Sequence, residues 1–240
     1  MEQVIANIAK MDVNGMRLEL PKGEQFTNYP QVKKALIKAG GKYVKCGFVF
    51  TTCPQAIKDR LCGGEKIDDK KKFQFFPTPR SLAVRMVEMA DIQESDRCLE
   101  PSAGQGAIAD IIPFNNLTVV ELDPVNHKHL IDKGHICYIR DFLTVTKGTF
   151  GFKFDKIVAN PPFTKNQDID HIMHMYTLLN SGGRIVTLSS QSWVKGSQKK
   201  QIAFRSWLND LDAVIESIPE GTFRESGTSI ATMLITIDKT

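Results

Sequence analysis

The sequence predicts an α/β protein, with a seven-stranded, mostly parallel sheet wound with helices over residues 73–240 and a small basic α+β module over 1–72. Three observations predict it. From about residue 73, short apolar runs alternate with amphipathic stretches, the pattern of βαβ units. A glycine turn, Gly104-Gln105-Gly106, directly follows the first apolar run. Charge is also divided: residues 1–72 hold 14 Lys or Arg against 8 Asp or Glu, while the remainder holds 17 against 19.

Taken in order, the basic module carries a helix over Tyr29 to Ala39, ended by Gly40-Gly41. A strand or hairpin arm follows over Lys42 to Thr51, then a short helix over Pro54 to Leu61. Gly63-Gly64 and Lys70-Lys71-Lys72 mark the junction. In the larger part, Ser81 to Met89 reads as a helix with Leu82, Val84, Met86, Val87 and Met89 as its apolar content. Strands are expected at 96–100, 117–122, 135–139, 156–159, 184–189, 213–218 and 230–237, with helices beginning at Ala107 and running near Ile169 to Leu179 and Gln201 to Asn209. Short turns between such elements favour consecutive packing.

With 42% hydrophobic and 24% charged residues, the 240-residue chain has an ordinary globular composition. No run approaches 18 apolar residues, and Met1-Glu2-Gln3 lacks a basic-then-apolar leader, so the cytoplasm is the expected location and no membrane is expected as partner. Cys46, Cys53, Cys62, Cys98 and Cys137 form no CxxC pair and fit no common zinc spacing; reduced thiols and no metal are expected. His171 and His174 read as helix surface or packing residues. The excess of lysine in 1–72 suits either a polyanion partner or simple solubility.

Chemistry concentrates at strand ends. Behind Ile157-Val158-Ala159 comes Asn160-Pro161-Pro162-Phe163. Proline fixes φ and holds the preceding residue extended, so the Asn160 carboxamide and the Pro161 carbonyl are aimed in set directions beside an aromatic face. Two such acceptors suit the amino edge of a planar base; the alternative is only a rigid turn. The first strand ends in Glu100-Pro101-Ser102-Ala103-Gly104-Gln105-Gly106. There Gly104 and Gly106 remove Cβ atoms where a ligand would approach, and a following helix would offer amides. Glu100 and the missing third glycine argue against a pyrophosphate and favour a ligand carrying an ammonium group. At the second strand end, Glu121 can accept both hydroxyls of a ribose, with Leu122 placed to pack on an adenine ring. Asp141 and Phe142 after the third strand offer an acceptor and a ring face.

In this order the motifs resemble those of the S-adenosylmethionine-dependent N6-adenine methyltransferases of DNA. Phe76-Pro77-Thr78-Pro79-Arg80 resembles the family's first cofactor motif, and Gly221 to Ile237, with Phe223 and Gly227-Thr228-Ser229, its late motif. The match covers roughly residues 73–240 and implies a Rossmann-like class I methyltransferase fold. It also implies that Phe76, Thr78, Glu100, Pro101, Ser102, Ala103, Gly104, Gly106, Glu121, Leu122, Asp141 and Phe142 line S-adenosylmethionine. The catalytic motif would be Asn160, Pro161, Pro162 and Phe163, with Phe223 stacking on the target base.

Only about 70 residues separate Phe163 from the end of the late motif, less than a long recognition region needs. Recognition is therefore expected from the basic module and from Ser192 to Arg205, where Trp193, Lys195, Lys199 and Lys200 suit phosphate contact. The expected partner is DNA. Related enzymes with the same motif act on RNA bases or a protein glutamine, which keeps RNA as the alternative; a non-catalytic nucleic-acid-binding subunit is a third.

Overall fold

The computed structural model describes residues 2–21, 23, 25–50, 53–64, 77–113, 116–223 and 231–240. The chain forms two compact units, Met1–Gln74 and Phe75–Thr240.

The first unit contains helices α1 (Glu2–Ala9), α2 (Tyr29–Lys38) and α3 (Pro54–Cys62), and strands β1 (Asp12–Asn14), β2 (Arg17–Glu19), β3 (Lys42–Val44) and β4 (Gly47–Val49). The strands form an antiparallel sheet in the order β1-β2-β4-β3. Ile8, Val32, Leu36, Ile57 and Leu61 from the three helices share one core with Leu18 and Phe48 from the sheet. Within the arm expected at 42–51, residues 42–49 form a hairpin, tightened by Cys46 at φ 65°.

The second unit contains α4 (Arg80–Ala90), β5 (Cys98–Pro101), β6 (Leu117–Glu121), α5 (Pro124–Asp132), β7 (Cys137–Ile139), the single turn α6 (Lys147–Phe150), β8 (Phe154–Ala159), α7 (Gln167–Leu178), β9 (Leu179–Ser190), α8 (Lys199–Asp210), β10 (Val214–Ile218) and β11 (Thr232–Asp238). These strands form one sheet in the order β10-β11-β9-β8-β5-β6-β7. All neighbours pair in parallel except β11, which runs against both β9 and β10.

Successive strand residues point to opposite faces. Leu99, Val120, Ile157, Ile185 and Ile235 face one core, shared with Ile169, Ile172 and Met175 of α7 and with Phe204 and Leu208 of α8. Their neighbours Cys98, Val119, Val158, Val186 and Leu234 face the other, shared with Leu82, Ala83 and Met86 of α4 and with Leu130 of α5. A sheet covered on both faces is built from continuous apolar runs, which is how its strands read in the sequence.

The strand order reverses between β5 and β8. Connections from those two strands leave to opposite sides, which opens a crevice at their carboxyl ends, the usual ligand position in such sheets. Residues 107–112, expected to begin a helix, are instead a series of turns. Only six residues lie between the left-handed Gly106 and Pro113, too few to propagate a helix against its nucleation cost.

Candidate functional site

The crevice is built from the residues that directly follow β5, β6, β7 and β8. After β5 the chain coils tightly, with Ser102, Gly104 and Gly106 all at positive φ (63°, 58° and 86°). The loop is tied down by the Ala103 amide donating to the Val120 carbonyl (3.1 Å) and the Gly104 amide donating to Glu121 Oε2 (2.6 Å). The room gained at Gly106 is not ligand space, contrary to expectation. A Cβ there would stand 3.0 Å from both Asp110 Oδ1 and Leu130 Cδ2, so the missing side chain admits protein. Asp110 is in turn held by Lys133 (2.5 Å) and His135 (2.9 Å).

Glu100 is buried at 2% exposure, and its Oε2 has no hydrogen-bond partner. Burial raises its pKa well above the ordinary carboxylate value, and the nearby Asp110 and Glu121 add to the rise. A buried acceptor with no donor is costly, and a cationic donor would satisfy it. Glu121 is also buried. It accepts from the amides of Gly104 and, through Oε1, of Asp123 (2.7 Å). Burial raises its pKa, while those two amides pull the other way. Beside it Leu122 is 51% exposed, an apolar face left open at the strand end. Each carboxylate oxygen has a second lone pair, so Glu121 can brace the loop and still accept hydroxyl donors.

Asp141 caps the turn after β7 by accepting from the Leu143 amide (3.0 Å) through Oδ1. Phe142 departs from expectation. It is buried in the core, with its ring 5.4 Å from that of His171 and 5.0 Å from that of His174, and offers no face to a ligand. An aromatic residue at a strand end is drawn inward wherever the neighbouring helix supplies rings to pack on.

At the end of β8, Asn160 Nδ2 donates to Thr78 Oγ1 at 3.1 Å. Thr78 is buried, in the segment leading into α4. The contact aims the carboxamide, since holding its NH₂ group directs its carbonyl the opposite way. Pro161 is buried, and Phe163 is half-buried against the core that contains α4. The β5–β8 pairing, Cys98 with Lys156 and Leu99 with Ile157, brings the carboxyl ends of the two strands to the same edge of the sheet.

His171, expected as a helix surface or packing residue, is buried against Phe142 and also meets the loop after β5. His171 Nδ1 lies 3.3 Å from Ser102 Oγ, across from the glycine loop. Burial pushes its pKa down to about 4, so the imidazole is neutral. Its partner His174 reaches the Val145 carbonyl (2.8 Å). The i, i+3 spacing placed both on one helix face, but nothing in the sequence said which loop they meet.

Of the expected substrate residues, Lys195 and Lys199 are exposed after β9. Lys200 is paired with Asp170 at 2.5 Å, which compensates its charge. Trp193 is 3% exposed, donates to Ser189 Oγ (2.9 Å) and packs edge-on to Phe204, so it is core rather than contact surface. Phe223 likewise packs into the core beside Ile218 and Leu234. Indole and phenyl rings bury too much apolar area to stay exposed where a core can take them. Phe76 and the Gly227-Thr228-Ser229 segment lie outside the described residues. Among the described residues, no group of three or more His, Cys, Asp or Glu gathers as a metal site, and no helix is long and apolar enough to cross a membrane. Burial pushes the thiols of Cys98 and Cys137 up to about 12, which keeps them protonated and unreactive.

Strand order, the single antiparallel strand and the carboxyl-end crevice define the Rossmann-like fold of class I methyltransferases. Comparison with known proteins agrees on that fold. The chain is 25% identical over 182 residues to the defense against restriction protein B of Escherichia phage P1, a match covering 68% of this chain and 8% of that protein. The type I restriction-modification system methyltransferase subunit from Streptococcus thermophilus superposes with a TM-score of 0.58 at 18% identity, covering 68% of this chain and 45% of that one. The 23S rRNA methyltransferase ErmE superposes with a TM-score of 0.50 at 18% identity, covering 69% and 70%. No family model matches the chain. The chain thus spans less than half the length of the first two relatives.

Methyltransferases of this fold use S-adenosylmethionine, and the crevice fits that group. The unsatisfied buried oxygen of Glu100 suits an ammonium, Glu121 suits ribose hydroxyls, and the exposed Leu122 suits a flat ring.

Proposed function

We propose that residues 75–240 transfer a methyl group from S-adenosylmethionine to the exocyclic N6 amine of adenine in DNA. The observation that carries this reading is the Asn160 carboxamide, held by Thr78 at the crevice between β5 and β8. S-adenosylmethionine supplies a methyl group already activated on a sulfonium. The work left to the chain is to bring a weak nucleophile up to it.

An adenine amine is a poor nucleophile because its lone pair is delocalised into the ring. Acceptors at the Asn160 carboxamide and the Pro161 carbonyl bind both amine protons. They favour the pyramidal nitrogen and the positive charge that develops as the new bond forms. Such bonds strengthen in the transition state, which is what accelerates a reaction. Each bond to a group gaining charge is worth about 1.5–3 kcal/mol. Phe163 covers the base, offsetting part of the few kcal/mol that leaving the stack costs in duplex DNA. Glu100, Glu121 and Leu122 would hold the donor in the same crevice. The basic unit before residue 75 and the exposed Lys195 and Lys199 contact phosphates.

The same geometry would serve an RNA base, and an rRNA methyltransferase is among the proteins that share the fold. The two are separated by incubating the chain with tritiated S-adenosylmethionine and a panel of DNA, RNA and protein, followed by nucleoside analysis. Label in N6-methyldeoxyadenosine supports the first reading. Label confined to RNA nucleosides replaces it with the second. Measurable cofactor binding with no label on any substrate leaves a non-catalytic subunit.

A further inference from the structure

Lys165 and Asn166 are consecutive non-glycine residues in the left-handed region, both at φ 57°. They lie between the Asn160-Pro161-Pro162-Phe163 loop and α7. Asparagine tolerates this conformation and lysine does so poorly, so the pair persists only if its surroundings impose it. The Asn166 side chain shows what imposes it. Its Oδ1 accepts from Ser192 Oγ (3.0 Å) and Gln201 Nε2 (3.2 Å), and its Nδ2 donates to Gln198 Oε1 (3.0 Å). All three partners belong to the segment after β9 that carries Lys195 and Lys199.

Gln201 is the hub of that segment. It is buried, accepts from the Gln198 amide (3.2 Å) and donates to the Ser192 carbonyl (3.2 Å) as well as to Asn166. The loop closes on it so tightly that a Cβ at Gly196 would stand 2.0 Å from Gln201 Oε1 and 2.6 Å from the Ser192 carbonyl. Arg205 binds the carbonyls of Gly196 (2.8 Å) and Trp193, fixing the outside of the same loop. A second tie lies beside the first. Asp168, fully buried in the first turn of α7, accepts from the Ser190 amide (2.8 Å).

We infer that Asn166 and Gln201 form a latch through which the basic loop at 192–200 sets the conformation of the loop bearing Asn160. They are positioning residues, neither of them touching the reacting atoms. A polyanion bound at Lys195 and Lys199 would bear on a loop that Gln201 already ties to Asn166, six positions beyond Asn160. A shift of the loop on contact with nucleic acid would then be felt at the loop bearing Asn160. The catalytic consequence rests on the proposed amine methylation; the mechanical link does not.

The test uses Gly196→Ala, which alters nothing in the catalytic loop but forces Gln201 out of its place. Hydrogen–deuterium exchange of the full chain is followed over 163–170 and 191–202, with a melting curve to confirm folding. The expected result is exchange faster by about tenfold in both segments, as local opening of the shared contacts requires. Acceleration confined to 191–202 would overturn the latch. If Gly196→Ala does not fold, Asn166→Gly replaces it: glycine keeps the left-handed backbone and deletes only the side-chain bonds. Faster exchange in 191–202 supports the latch, and unchanged exchange there overturns it. Should the wild-type chain methylate nothing, the exchange result stands alone. Where it does methylate, Gly196→Ala should lower kcat with the KM for S-adenosylmethionine unchanged.

Discussion

The hydroxyl of Thr78 and the carboxamide of Asn160 meet at 3.1 Å across 82 residues of sequence, joining the approach to α4 to the end of β8. Thr78 was expected to face the cofactor. In the structure its oxygen holds the amide that aims the proposed acceptor.

Thr78→Val keeps the shape and removes the oxygen. An amide that loses a buried partner costs about 1–3 kcal/mol, and the Asn160 carboxamide loses the contact with Thr78 that aims it. Steady-state kinetics should show kcat lower by about tenfold or more, since each 1.36 kcal/mol is a factor of ten. Thr78→Ser should recover most of it. Equal activity in Thr78→Val and wild type would remove this positioning role.

Glu121 braces the glycine loop next to the exposed Leu122, so its loss should act on cofactor binding first. Two backbone amides lose a charged acceptor in Glu121→Ala, each bond being worth about 1.5–3 kcal/mol. Calorimetry should find S-adenosylmethionine affinity reduced by about tenfold or more, and Glu121→Gln should fall between. Unaltered affinity would place the cofactor elsewhere.

His171 gives the fold a pH dependence of definite sign. Its folded pKa is about 4, against about 6.5 in an unfolded chain. Above about pH 6.5 both states are neutral and the contribution is complete. As pH falls toward 4 the unfolded chain binds the proton first, and stability drops by up to about 3 kcal/mol. The raised carboxyl of Glu100 acts in the opposite sense. Urea titrations of wild type and His171→Gln should therefore diverge between pH 6.5 and 4, with wild type losing more. Parallel curves across that range would contradict a buried neutral imidazole.

Lys195 and Lys199 are exposed, whereas Lys200 is neutralised by Asp170. Replacing the first two by Ala should weaken DNA binding at every sequence and lower the slope of log K against log salt by about 2. Lys200→Ala should change it less. An identical slope in the double variant would take phosphate contact away from this loop.

Much of the fold is legible in the sequence, because burial on both faces turns each parallel strand into an apolar run, as in Ile157-Val158-Ala159. The helix Pro124–Asp132 is absent from the sequence reading although Asp123 caps it and Pro124 opens it. Gly15-Met16 is the two-residue loop of the β1–β2 hairpin, with Gly15 at its first central position, φ 55°. At the site, polar strand ends were legible because the sheet delivers them to one edge. Aromatic roles were not. Whether Phe142, Trp193 and Phe223 face a ligand or the core depends on neighbours distant in sequence, and His171 reached Ser102 for the same reason.

Turnover and cofactor affinity measured together on Asn160→Ala test the central claim most directly. The variant should bind S-adenosylmethionine as wild type does, since Glu100, Glu121 and Leu122 are untouched, and should transfer no detectable methyl group to adenine. Near-normal methylation by Asn160→Ala would show that this carboxamide does not hold the amine.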